Sequence, residues 1–232
     1  MSSHKSDVFK CYSTTDSYLT PPYACSYSYG EDYIAIQTSL VSNICTGAKS
    51  GGQLLLAIAT EQGTVHITNT KKRQDWDYEP QRTTLQPHKN GIFDIKWNPS
   101  DTLLATASGD HTTHISCLTT QRSLCALSAH TSTVKTISWD PCHHDLLSTG
   151  ARDGTVHIWD LRVESRRERA GVPMIAPVLS IAGAHDEGRR KNSSAPRTIT
   201  SLTYLNGQPY NLVSSGSSDG WVASFWLFLC PD

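Results

Sequence analysis

No apolar run in the 232 residues approaches the ~18 residues that a membrane-spanning helix needs. The N-terminal stretch MSSHKSDVFKCYSTTDSY is polar and lacks the apolar core of a secretory leader. Charge of one sign is missing too. Formal net charge is -1, from 20 Lys and Arg against 21 Asp and Glu, so bulk electrostatics favour neither nucleic acid nor membrane. The seven cysteines form no CxxC pair. Odd in number and scattered, they lead to the expectation of free thiols in a reducing, intracellular compartment. Cys142-His143-His144 is the nearest approach to a metal cluster. Adjacent residues rarely converge on one ion, and no second ligand pair accompanies them. No metal and no other cofactor is expected.

What the chain does have is period-2 alternation punctuated by Gly, Asp and Pro, the pattern of short antiparallel strands. It is clearest in HTSTVKTISWDPCHHDLLSTGARDGTVHIWDLR, residues 130–162. Runs VKTISW and DLLSTG precede a tight turn, Arg152-Asp153-Gly154, which leads into TVHIWD. A His, then an Asp-Gly turn, then Trp-Asp marks one four-stranded propeller blade. The pattern repeats. His88 and His130, Trp97 and Trp139, and Pro99 and Pro141 each lie 42 apart, and Asp110 and Asp153 lie 43 apart. GTVHI occurs at 63–67 and again at 154–158. The expected fold is all-β, a partial WD40-type β-propeller of about four blades, with units near 53–70, 88–119, 130–162 and 185–220.

In such blades a His, a strand hydroxyl, the turn Asp and the Trp form a buried hydrogen-bonded chain. A satisfied polar network specifies one register in a repetitive sheet. The third unit holds the full set, His130, Thr149, Asp153 and Trp159. The second holds His88, Thr106 and Asp110, with Ser116 in the Trp position. The fourth holds His185, Ser215 and Asp219. A His–Asp pair recurring at the blade period without a nucleophile reads as framework, so no catalytic residue is expected.

His185 and Asp219 lie 34 apart, against 23 for His130 and Asp153. The excess is a basic, Ser- and Pro-containing loop within 186–197, carrying Arg189, Arg190 and Lys191. Those residues, and Arg166, Arg167 and Arg169, read either as solvated loop charge or as a localisation signal or patch for acidic partners. Residues 1–50 read as an irregular lead-in with one candidate strand, Tyr33–Ile36. Residues 51–220 form the propeller portion, and 221–232 (WVASFWLFLCPD) an aberrant tail. A seven-bladed ring needs about 300 residues at this period. The expectation is therefore the N-terminal part of a longer protein with a non-native tail, or a truncated fragment without function.

HKNGIFDIKW, TASGDHT, HTSTVKTISW, TGARDGTVHIWDLR and SIAGAHDEG, in that order, resemble the N-terminal half of the denticleless family of WD-repeat proteins. Members are substrate receptors of cullin-4 RING ubiquitin ligases. The resemblance implies a nuclear, non-enzymatic subunit. It would present PCNA-bound replication or repair proteins for degradation. Asp153, Trp159, Asp160 and Arg162 fit the D-x5-W-D-x-R box of receptors that dock on the ligase's three-propeller adaptor. The resemblance thus implies an adaptor-binding role for Arg162, Asp160 and Trp159. A guanidinium just beyond the strand can make paired, charge-assisted hydrogen bonds to a partner. The competing reading is a generic WD-repeat scaffold in another nuclear complex.

Overall fold

The computed structural model describes residues 22–27, 55–69, 82–163, 167–169, 171–185, 197–205, 208–216 and 222–226, and among these every element is a β-strand. Four sheets follow one another along the chain. The first holds β1 (Pro22–Tyr27), β2 (Leu55–Thr60), β3 (Val65–Asn69) and β4 (Arg82–Leu85), hydrogen-bonded in that order. The second holds β5 (Ile92–Trp97), β6 (Leu103–Ser108), β7 (Thr113–Cys117) and β8 (Arg122–Leu127). The third begins with β9 (Val134–Trp139), β10 (Leu146–Ala151) and β11 (Val156–Asp160). The chain then forms a hairpin, β12 (Arg167–Arg169) and β13 (Val172–Ile175), before β14 (Leu179–Ile181) completes the third sheet. The fourth holds β15 (Ile199–Leu205), β16 (Gln208–Gly216) and β17 (Val222–Trp226).

The sheets stack face to face like blades, and the strand alternation explains why. Along β6, Leu104 faces the first blade, with Ala57, Ala59, Val65, Ile67, Ile92, Ile95 and Trp97 around it. Ala105 and Ala107 face the third blade, packing with Val134, Ile137, Trp139, Leu147 and Trp159. Both faces of an inner blade are therefore core, and all six residues of β10 are buried. The third and fourth blades share Val156, Ile158, Ile199, Leu202, Tyr204 and Leu212. There the approach is so close that a Cβ on Gly150 would stand 2.5 Å from Ile199 Cγ2. This is a partial WD-type propeller.

The first strand of each blade packs on the first strand of the next, β1 on β5, β5 on β9 and β9 on β15. These strands lie innermost and have a neighbour in the sheet on one side only, so their other backbone groups need partners from elsewhere. Adjacent blades supply them. Ile137 N donates to Asp94 Oδ2 (2.8 Å), and Leu202 N donates to Thr136 Oγ1 (3.2 Å). Trp97 Nε1 donates to Ser26 O (3.0 Å), and Trp139 Nε1 donates to Lys96 O (3.2 Å). The Trp residues that reveal the repeat in sequence thus tie the second and third blades each to the one before. Burial raises the Asp94 carboxyl, against Lys96 and the Ile137 and Ile95 amides.

Three features depart from the sequence reading. Pro22–Tyr27 forms a strand within the lead-in, pairing with β2. Its partner lies some thirty residues on, beyond the reach of local pattern. The candidate strand Tyr33–Ile36 lies outside the described residues. Second, Val222–Trp226, within the stretch read as a tail, pairs with β16 as the third strand of the fourth blade. Third, the basic segment after Arg162 is no simple loop. β13 runs parallel to β8, with Met174 opposite Ala126 and Ile175 opposite Leu127, so the second blade gains two strands. Ile175 inserts into the core between the second and third blades. The hairpin covers an edge that would otherwise be open to pairing.

Candidate functional site

The third blade contains a complete polar relay. His130 Nδ1 lies 3.2 Å from Asp153 Oδ2, and His130 Nε2 lies 2.7 Å from Thr149 Oγ1. Trp159 Nε1 donates to the same Thr149 oxygen at 2.8 Å. One assignment satisfies every atom. His130 Nδ1–H donates to the carboxylate, Thr149 donates its one hydroxyl proton to Nε2, and its oxygen accepts the indole N–H. Asp153 also accepts from Thr131 N (2.8 Å), Thr155 N (2.9 Å) and the Thr155 hydroxyl (2.6 Å). Burial alone would raise its carboxyl, but these donors outweigh burial and hold it well below the usual range. Gly154 follows at φ 75°, the left-handed conformation that closes the turn.

In the second blade His88 Nδ1 lies 2.8 Å from Asp110 Oδ2, and Nε2 lies 2.9 Å from Thr106 Oγ1 and 3.1 Å from Thr106 O. Burial would raise Asp110, yet bonds from His88 and Thr112 bring it down to about 2. Ser116 supplies no indole, and the Thr106 hydroxyl oxygen lies 3.3 Å from His114 O as well. In the fourth blade Asp219 lies outside the described residues. Here the expected hydroxyl is corrected. His185 Nε2 meets Ser214 Oγ at 2.9 Å. Ser215 instead bonds Thr200 Oγ1 at 2.8 Å. Register explains it: Ser214 pairs with Leu202 as Thr149 pairs with Ile137 and Thr106 with Ile95. Counting back from Asp219 misses this by one residue, which on a strand means the opposite face.

A second histidine in each of the first three blades carries no obvious signal except the repeated GTVHI. His66, His114 and His157 occupy equivalent places on the third strand. His114 meets His88 edge-on with ring centroids 4.6 Å apart, and His157 meets His130 at a tilt with centroids 4.3 Å apart. Each bonds outward to a hydroxyl on the fourth strand: Thr84 at 3.1 Å, Ser123 at 2.8 Å and Ser180 at 2.9 Å. Burial, then the adjacent His88 or His130, brings His114 and His157 down to about 4, against the raising effect of Asp110 or Asp153.

Arg162 lies at the other end of the third blade, just past β11. Its backbone N–H and its Nε donate to Asp160 Oδ1 at 2.9 Å and 3.0 Å, and Nη2 donates to Oδ2 at 2.7 Å. The guanidinium is therefore oriented by a bidentate pair, while its side chain stays 68% exposed. The bond from Arg162 outweighs partial burial and lowers the Asp160 carboxyl. Trp159 must be removed from the exposed rim. It is 0% exposed, seated in the core between the second and third blades with its indole spent on Thr149. Strand alternation turns Trp159 inward, so it anchors the strand end that carries Asp160 and Arg162. Below, Asp140 Oδ1 accepts from Cys142 N (2.8 Å) and His143 N (2.9 Å) and lies 3.1 Å from His143 Nδ1. The Cys142-His143-His144 segment is thus the turn between β9 and β10.

The sheets, the interblade ties and the relay define a WD-repeat β-propeller protein. The model of the WD domain, G-beta repeat, matches residues 79–115 and 121–160. The chain belongs to the denticleless family of WD-repeat proteins. It is 30% identical over 200 residues to the denticleless protein homolog of Danio rerio, covering 78% of this chain and 28% of that one. It is 29% identical over 187 residues to protein lethal(2)denticleless of Drosophila melanogaster, covering 76% and 24%. To cell division cycle protein cdt2 of Schizosaccharomyces pombe it is 30% identical over 182 residues, covering 73% and 36%. The matched region thus spans about a quarter to a third of these relatives. Among solved structures, a chain of the Chaetomium thermophilum polycomb repressive complex 2 superposes with a TM-score of 0.62 at 16% identity, covering 88% of this chain and 36% of that one. A chain of the mitotic checkpoint complex gives 0.55 at 19%, covering 73% and 44%. These two share the fold alone.

Proposed function

We propose that this chain is the substrate-receptor portion of a cullin-4 RING ubiquitin ligase in the nucleus. It docks on the ligase's propeller adaptor by the rim of the third blade, and it performs no chemistry itself. In the assembled receptor it presents PCNA-bound replication or repair proteins for ubiquitylation. Arg162 is the adaptor contact, Asp160 sets the direction of its guanidinium, and Trp159 holds the strand end from within. The observation that carries this reading is Arg162 itself, exposed yet oriented by two donors to Asp160. The blade framework does not call for it, since the second blade has Thr119 at the corresponding place. Family membership supports the receptor role.

The test is co-purification of the 232-residue chain with the adaptor, alongside Arg162→Ala. An arginine anchor at an interface is worth about 2 kcal/mol or more, so the variant should bind at least about thirtyfold more weakly with its melting temperature unchanged. Wild-type binding retained by Arg162→Ala would remove the role assigned to this residue.

A further inference from the structure

The innermost strand of every blade is irregular at the same place. Register shifts fall between Pro22 and Ala24 in β1, between Ile92 and Asp94 in β5, and between Ile199 and Ser201 in β15. In the third blade Gly150 pairs with Thr136 while Ala151 pairs with Val134. Phe93 and Lys135 are therefore bulge residues on neighbouring strands, and a bulge redirects its side chain out of the sheet pattern. Lys135 Nζ stands 3.5 Å from the centroid of the Phe93 ring. Arg152 is in the adjoining turn, where its N–H donates to Thr133 O at 2.9 Å, and its side chain is exposed. Burial and then the nearby Arg152 charge both lower the Lys135 ammonium. Among the described residues neither Lys135 nor Arg152 pairs with a carboxylate.

The propeller framework explains none of this. The bulge that holds Lys135 in the third blade holds Phe93 in the second and Thr200 in the fourth. The turn position of Arg152 is Gly109 in the second blade, where the amide makes the same bond, Gly109 N to Gly91 O at 3.0 Å. Two cations thus lie within electrostatic reach of each other where the fold accepts a neutral residue. One of them is laid over an aromatic ring rather than extended into water. Like charges held together unneutralised repel, and an anion placed between them relieves that repulsion.

We propose that Phe93, Lys135 and Arg152 form a docking site for a carboxylate-rich peptide segment of a partner protein. The ring fixes the Lys135 ammonium, and the Arg152 fork offers paired donors to a Glu or Asp side chain. The site adjoins the Asp153 turn, at the opposite end of the third blade from Arg162, and does not depend on the ligase reading.

Fluorescence polarisation tests it on the full 232-residue chain. The probe is a fluorescein-labelled Glu-rich peptide, with a Ser-rich peptide and its phosphoserine form for comparison. The Glu-rich peptide should bind, and added salt should weaken it. Arg152→Gly and Lys135→Thr install the residues of the second and fourth blades. Each should weaken binding about tenfold with the melting temperature preserved. Should either lower the melting temperature, Arg152→Gln and Lys135→Gln, which keep side-chain bulk, are read in its place. Undiminished affinity in these variants, or no binding of the Glu-rich peptide, would overturn the proposal. So would binding confined to the phosphoserine peptide.

Discussion

Thr149→Val removes one oxygen and preserves shape, and the structure says what that oxygen holds. Thr149 is fully buried, accepts from Trp159 Nε1 and meets His130 Nε2. Without it an indole N–H and an imidazole nitrogen are both stranded in the core. Each costs about 1–3 kcal/mol, so the variant should lose about 2–6 kcal/mol. The second blade provides an internal control. Thr106 is equally buried, but Ser116 replaces the Trp, so Thr106→Val strands only His88 Nε2, which loses the hydroxyl 2.9 Å away. Thr106→Val should therefore cost about half as much, about 1–3 kcal/mol. For a chain of this size 1 kcal/mol shifts the melting temperature by about 2–4 °C. Thermal and urea unfolding, followed by circular dichroism and tryptophan fluorescence, measure both variants. A double-mutant cycle with Trp159→Phe should show a coupling of at least about 0.5 kcal/mol with Thr149. If Thr149→Val proves no more destabilising than Thr106→Val, the relay is not what secures the third blade.

Two further outcomes follow from the same geometry. His114 and His157 titrate at about 4 in the fold and near 6.5 in an unfolded chain. Between these values the unfolded chain binds protons that the fold refuses, so stability is full above about 6.5 and falls toward pH 4. Discounted for solvent screening, the loss from pH 7 to pH 5 is about 2 kcal/mol for the pair. Urea midpoints at the two pH values measure it, and His114→Gln with His157→Gln should flatten the dependence. Asp110, at about 2, acts in the same direction only below its unfolded value near 4. In the fourth blade, Ser214→Ala deprives His185 of its hydroxyl and should cost about 1–2 kcal/mol, whereas Ser215→Ala, at a half-exposed position, should change stability by less than about 0.5 kcal/mol. Equal losses in thermal unfolding would contradict the register that separates them.

The repeat and most of the polar framework are legible in local spacing. A period near 42, strand alternation and the Asp turn are local facts, and a buried His–Thr–Asp set needs nothing beyond its own blade. The place of Arg162 was legible for the same reason, since two residues past Trp-Asp is a statement about spacing. Other features depend on partners distant in sequence. Trp159 reads like a rim residue until the neighbouring blade closes over it. The choice of Ser214 over Ser215 follows from pairing with β15, not from counting back from a turn. The basic segment after Arg162 becomes a hairpin because β8, some forty residues earlier, offers an unpaired edge. The contact of Lys135 with the Phe93 ring exists only because bulges on two adjacent blades aim their side chains together. Within a blade, alternation and turn chemistry are written residue by residue. Between blades, contact is set by how the sheets stack, and no local pattern carries it.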